Sequence, residues 1–247
     1  MMLRYCSSIL WLAWTLALAP PAAADHWLVE RAAGSDLVVL AQLEQIDYDY
    51  KRDLPIGGQA WFRPLIRYKT EGANSEILIV AEQGLKDNDC YFPRTLPWDE
   101  KPRYLLFLIE RTGRGTDRTD NGQTNGHPDG CAIEILVDSS GRYAARWPQP
   151  GFGVEHGRSD PALRARVEEM TFQGPFARIE AGDLLAHQRR ARAERDFMEI
   201  DGTDLVPTRG IPLGELRALM RPGLDLRAEA GIERDAAPNA RNRGHDG

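Results

Sequence analysis

The feature that most constrains the fold is a cysteine pair, Cys90 and Cys131, bracketing the apolar run Tyr104-Leu105-Leu106-Phe107-Leu108-Ile109. Cys90 closes one strand-like stretch and Cys131 opens another. The third cysteine, Cys6, lies inside residues 1–24, which read as a secretory leader. Arg4 supplies the basic start, Ile9 to Ala19 the apolar core, and Ala22-Ala23-Ala24 a small-residue cleavage site. Once the leader is removed only Cys90 and Cys131 remain, so one pairing is open to them, and an oxidising compartment favours it. Closing a loop of about 40 residues removes about 3–4 kcal/mol of unfolded-chain freedom on the chain-entropy account. The sequence has no CxxC, and neither cysteine adjoins a histidine, so a structural disulfide is favoured over a redox or catalytic thiol.

The leader's apolar run is short for a membrane span, with an uncleaved anchor as the competing reading. Cys6 precedes the run, where a lipobox cysteine does not belong. With no second apolar segment, the expectation is an exported protein, periplasmic or extracellular, with no membrane span in the mature chain. The full chain has 31 basic and 37 acidic residues, a net charge of −6, and losing the leader with its single charge, Arg4, takes this to −7. This balance argues against nucleic acid or an anionic membrane as the main partner. Hydrophobic residues make up 42% of the chain, enough for a real core.

Read in order, residues 26–34 suggest a short helix or lead-in. Asp36 to Leu43 reads as a strand, Asp53 to Gly58 as a turn, and Gln59 to Tyr68 as a second strand. In that strand Trp61, Leu65 and Tyr68 are the candidate inward positions, and Pro64 marks an edge or a bulge. Ser75 to Gln83 is a third strand, Gly84 to Glu100 a loop, and Arg103 to Glu110 the most hydrophobic strand. Gly113 to Gly130 reads as a long loop, Cys131 to Asp138 as a fifth strand and Arg142 to Trp147 as a short sixth. After the Pro/Gly-rich stretch at 148–157, Ser159-Asp160-Pro161 predicts a helix over Ala162 to Met170. Asp183 predicts the cap of another, reaching Phe197. Asp201-Gly202 is a tight turn, and Pro212 to Met220 a last helix stopped by Pro222-Gly223. Residues 227–247 are charged and poor in apolar residues, which predicts disorder.

Five strands with long loops before the fourth and fifth suit a small Greek-key barrel. Ser35 to Leu40 as opening strand, Arg67-Tyr68-Lys69-Thr70-Glu71-Gly72 closing the second, Cys90, Tyr104 to Leu108 and Cys131 together resemble the netrin-like modules. These are the OB-fold group that includes the tissue inhibitors of metalloproteinases. The resemblance covers residues 35–147 and implies a barrel used for binding rather than catalysis. Those inhibitors set an N-terminal cysteine on the target zinc, and a mature start near Asp25-His26-Trp27 lacks one, leaving that mechanism unsupported. The expected organisation is therefore mainly β: a leader at 1–24, an OB-like disulfide-bonded barrel at 25–149, a helical extension at 150–226 and a tail at 227–247.

Signatures for catalysis are sparse, with no HExxH, GxSxG or P-loop, and the five histidines are far apart. Asp117, Asp120, Asn121, Asn125 and Asp129 offer hard oxygen donors of the type calcium prefers, but their spacing is not that of an EF-hand and a solvated loop is the plainer reading. Arg189, Arg190, Arg192 and Arg195 form a dense basic cluster, read as a solvated helix face or a docking patch for an acidic partner. Trp61, Trp98 and Trp147, with Tyr91 and Phe92, are either core or the lining of a groove. The expectation is a non-enzymatic binding module with no cofactor, holding a protein or peptide on its barrel face and loops through Tyr91, Phe92, Trp98, Arg189, Arg190 and Arg192. Two alternatives are a hydrolase or hydrolase subunit using carboxylates such as Asp87, Asp89, Asp99 and Glu100, and an oligomerisation role for the C-terminal helices.

Overall fold

The computed structural model describes residues 26–70, 75–84, 90–93, 101–110, 123–128, 130–149 and 160–235, the last ten as backbone only. Strands β1 (Leu37–Lys51) and β2 (Leu54–Thr70) form a long hairpin, followed by β3 (Leu78–Gln83), β4 (Arg103–Glu110) and β5 (Gln123–Gly126). They run in the order β1-β2-β3-β5-β4, and β4 returns to β1, closing a five-stranded OB-like barrel. The β3–β5 pair is parallel and the others are antiparallel.

Strand β6 (Ala132–Asp138) takes up the same edge of β4 where β5 leaves it: β4 pairs β5 from Leu108 to Glu110 and β6 from Arg103 to Leu106. Phe107 lies between the two pairings: its carbonyl accepts from His127 N–H at 3.0 Å and its N–H donates to Cys131 O at 2.8 Å. Cys131 bonds Cys90 here, Cα to Cα 5.8 Å. The disulfide passes so close to Gly126 that a Cβ there would lie 2.7 Å from both cysteine Cβ atoms.

Alternate residues of β1 and β4 serve two cores, because successive side chains leave opposite faces of a strand. Leu37, Val39, Ala41, Leu43, Tyr104, Leu106 and Leu108 fill the barrel with Phe62, Leu78, Val80 and Phe92. Val38, Leu40, Leu105 and Phe107 point outward and are buried by helices α1 (Trp27–Gly34) and α4 (Leu213–Asp235), through Leu28, Ala32, Leu213, Leu216 and Met220. Burial on both faces is why these strands read as unbroken apolar runs. Lys69, 8% exposed, ties β2 to α1 by donating to the carbonyls of Ala32 and Ala33 at 2.8 and 3.0 Å, at the negative end of that helix.

The C-terminal region returns to the same sheet. After β7 (Tyr143–Arg146) come α2 (Pro161–Arg164), β8 (Glu168–Glu169), β9 (Phe172–Gln173), β10 (Ile179–Glu180), α3 (Ala186–Asp196), β11 (Met198–Asp201), β12 (Asp204–Pro207) and β13 (Arg209–Pro212). Strand β13 pairs both β7 and β8, while β9 pairs β6. Strands β10, β12 and β11 form a separate small sheet beside α3.

Several local expectations need correction. The hairpin extends to Lys51 and Leu54, so its turn is at Arg52-Asp53 rather than at 53–58. Inside β2 the inward row is Ala60 and Phe62; Trp61 is half-buried and Leu65 is 39% exposed, because a one-residue register choice moves every side chain to the other face. Tyr68 packs against the outer core. Pro64 does mark a bulge: opposite Leu40 and Ala41 the pairing steps from Ile66 to Pro64. Strand β5 lies within the stretch read as a loop. The helix read over 162–170 is one turn, capped by Asp160, because Glu168 and Glu169 pair with β13. Asp183 does not cap α3, which starts at Ala186. Helix α4 continues through Pro222, where the sequence predicts a stop.

Candidate functional site

A cleft opens where the barrel sheet meets α3 and the small sheet. Its first lobe, about 690 Å³, lies between the Asp138–Arg142 turn with Met170 and Phe172 on one side and Met198, Val206 and Pro207 on the other. Its second lobe, about 600 Å³, is walled by Trp147, Val167, Arg164 and Arg195. Glu169, Phe197 and Arg209 border both lobes. Each lobe falls in the size range of ligand pockets.

Phe197 is the hinge of this geometry. It closes α3 in the left-handed conformation, φ 54° and ψ 58°, a costly choice for a bulky side chain that persists only where surroundings impose it. Thr208 imposes it: its N–H at 2.9 Å and its hydroxyl at 2.8 Å both donate to the Phe197 carbonyl. The Arg209 guanidinium then lies 4.4 Å from the centre of the Phe197 ring, a cation–π stack. Arg209 also approaches the exposed Glu169 at 4.0 Å.

The turn at the mouth of the first lobe is rigid. Asp138, 4% exposed, accepts from Ser140 N–H, Ser140 Oγ, Arg142 N–H and Arg142 Nε at 2.9, 2.6, 2.8 and 2.8 Å. These bonds, led by the Ser140 hydroxyl and opposed by burial, hold its carboxyl down at about 2. Arg142 reaches on to Glu168 at 3.4 Å. Among the described residues the lobe linings contain hydroxyls and carboxylates but no histidine. Among the described histidines, His26 faces Asp160 at 3.0 Å, His127 is buried against Gly34, and His187 is exposed on α3. The cleft thus has the makings of recognition, with apolar pockets and fixed charges of both signs.

Of the residues singled out from sequence, Cys90 and Cys131 are joined. Phe92 belongs to the core rather than to a free surface: it is 6% exposed, its ring 4.8 Å from Phe62 and 4.9 Å from Tyr104. Tyr91 is half-buried, edge-on to Tyr48 at 5.1 Å, and its hydroxyl donates to Gly84 O at 2.6 Å. Trp147 is buried in the outer core. The arginines of α3 diverge. Arg189 clamps the helix to Leu184 and Gly202 through their carbonyls, Arg190 is exposed, Arg192 lies 3.8 Å from Asp196, and Arg195 reaches the cleft. Asn125 is exposed on β5, and no group of three or more metal-ligating side chains occurs among the described residues. Trp98, Asp117, Asp120, Asn121, Asp129, Asp87, Asp89, Asp99, Glu100 and the leader lie outside the described residues.

Phe197 and Arg209 carry no sequence signature. They meet because β13 folds back onto β7, a tertiary event that no local pattern announces. No family model matches the sequence, and no curated protein is found similar to it. Among the described residues, no helix is long and apolar enough to cross a membrane.

Proposed function

We propose that this chain is an exported, non-enzymatic binding module that grips an extended peptide segment of a protein partner in the cleft beside its barrel. The observation that carries the reading is the Phe197–Arg209 stack bordering both lobes. An aromatic–arginine pair at the centre of a two-lobed groove is the arrangement expected of a binding hot spot, with flanking contacts excluding water. Strand β8 supports the same reading. It ends the path of the larger sheet, pairs with β13 on one side, and its Glu169 lines both lobes. An extended segment can add to such an edge through main-chain hydrogen bonds while its side chains enter pockets. Within the cleft, Asp138 is held ionised by four hydrogen bonds that leave it little freedom as an acid or base, which suits it to fixing the turn.

The test is selection of a random linear peptide library on the purified mature protein, followed by titration of enriched peptides against variants. Arg209→Glu is expected to weaken binding by about tenfold or more, and Arg190→Glu, outside the cleft lining, to leave it unchanged. Failure to enrich any peptide, or an equal loss with Arg190→Glu, overturns the proposal.

A further inference from the structure

The outer wall of the barrel is covered by α1 and α4 over one part and, over another, carries exposed and half-buried side chains. Beyond Leu40 the outward residues of β1 become Gln42, Gln45 and Asp47, and those of β2 become Gln59, Trp61 and Arg63, while Ala60 and Phe62 face inward. The register sets one row across four strands: Gln45 opposite Trp61, Trp61 opposite Ile79, and Ile79 opposite Gln123. At ordinary strand spacing this row is about 14 Å long. Gln45 is exposed, and Trp61, Ile79 and Gln123 are half-buried. The indole N–H of Trp61 meets no acceptor among the described residues.

We infer that this row is a second binding site, independent of the cleft, and that it takes a neutral oligosaccharide. A pyranose ring has one face of C–H groups and a rim of hydroxyls. The C–H face suits the electron-rich face of an indole, and carboxamides both donate to and accept from hydroxyls. Gln45 and Gln59 set such groups beside Trp61, and Gln123 ends the row beyond Ile79. The β2–β3 face is also where OB barrels present a surface to polymeric ligands.

Charge selects among those polymers. Nucleic acid binding depends on Lys and Arg neutralising phosphates. Among the described residues the cations beside this row are engaged: Arg63 bonds Glu44 at 3.0 Å and Gln42 at 2.9 Å, and Lys101 bonds Glu44 as well. Asp47 adds an exposed acidic group. A protein partner would be expected to meet a broader apolar centre than Trp61 and Ile79 provide.

The experiment titrates the mature protein with uncharged hexasaccharides, β-1,4-linked N-acetylglucosamine, β-1,4-linked glucose and α-1,4-linked glucose, reading calorimetry and tryptophan fluorescence. At least one is expected to bind. Trp61→Ala should weaken it by about tenfold or more, Trp61→Phe by less, and Gln45→Ala measurably. Unchanged melting temperatures show that the variants are folded, and if Trp61→Ala fails this check, Trp61→Phe and Gln45→Ala decide. Three results overturn the inference: no saccharide binds, saccharide binding is indifferent to the folded variants, or an oligothymidylate binds this row more tightly than any saccharide. None of them bears on peptide binding in the cleft.

Discussion

A single carboxylate, Asp138, organises the turn at the mouth of the cleft, and its chemistry makes the turn sensitive to pH. An Asp side chain that bonds backbone groups two and four residues on takes the place of a longer turn, which is why Ser140 and Arg142 stand where they do. Its folded pKa, about 2, lies below the value of about 3.9 expected in the unfolded chain. The ionised form therefore contributes stability that is fully present above about pH 4 and lost as pH falls towards 2. Asp138→Asn is expected to lower the melting temperature at pH 7, with the difference from the parent narrowing between about pH 4 and pH 2. Melts at stepped pH check this, and a difference that stays constant down to the acid limit would show that the bonds do not depend on the charge.

Helix α4 shows how an element can override its own sequence. Pro222 removes a helical hydrogen bond and crowds the carbonyl of Ala218, which ordinarily stops or kinks a helix. The helix continues because the residues just beyond it dock on α1: Leu224 packs against the outer core, and Gly223 is so close that a Cβ there would lie 2.1 Å from Val29 O. The same helix holds a second glycine, Gly214, with nothing within 4 Å of such a Cβ. The two should respond oppositely to one change. Gly223→Ala is expected to destabilise by about 1–3 kcal/mol through a clash with backbone, and Gly214→Ala to stabilise by about 0.5–1 kcal/mol through helix propensity. Urea denaturation of the two single variants reads both signs. A neutral Gly223→Ala would mean that α1 and α4 can separate cheaply.

At the scale of the molecule, what was legible in the sequence depended on how each stretch is buried. Strands β1 and β4 announce themselves because both faces are covered, and the disulfide because Cys90 and Cys131 bracket the most apolar of the strands. Strand β5, Gln-Thr-Asn-Gly, is invisible because it owes its conformation to β3 and β4 rather than to its own residues. The cleft was hidden for a related reason: its central residues, Phe197 and Arg209, are brought together by β13, whose partners β7 and β8 come from either side of the stretch read as a linker.

That return has a consequence for how the chain folds. Sequence composition suggests a boundary near Gln149, yet the outer core draws Ile211, Leu213, Leu216 and Met220 from beyond it to cover Val38, Leu40, Leu105, Phe107, Ile133 and Ile135. Asp160 adds a polar tie, accepting from the Trp27 indole at 3.0 Å and facing His26 at the same distance. Ending the chain at residue 149 would strip that cover from an otherwise closed barrel and expose a contiguous apolar face. Residues 25–149 alone are therefore expected to collapse without fixed packing, retaining far-UV but not near-UV circular dichroism and binding a hydrophobic dye. Residues 25–235 should instead melt in one cooperative transition. A dispersed amide spectrum and a sharp melt from residues 25–149 would show that the barrel is a self-sufficient unit, and would make the C-terminal region a dispensable wall of the cleft rather than half of the core.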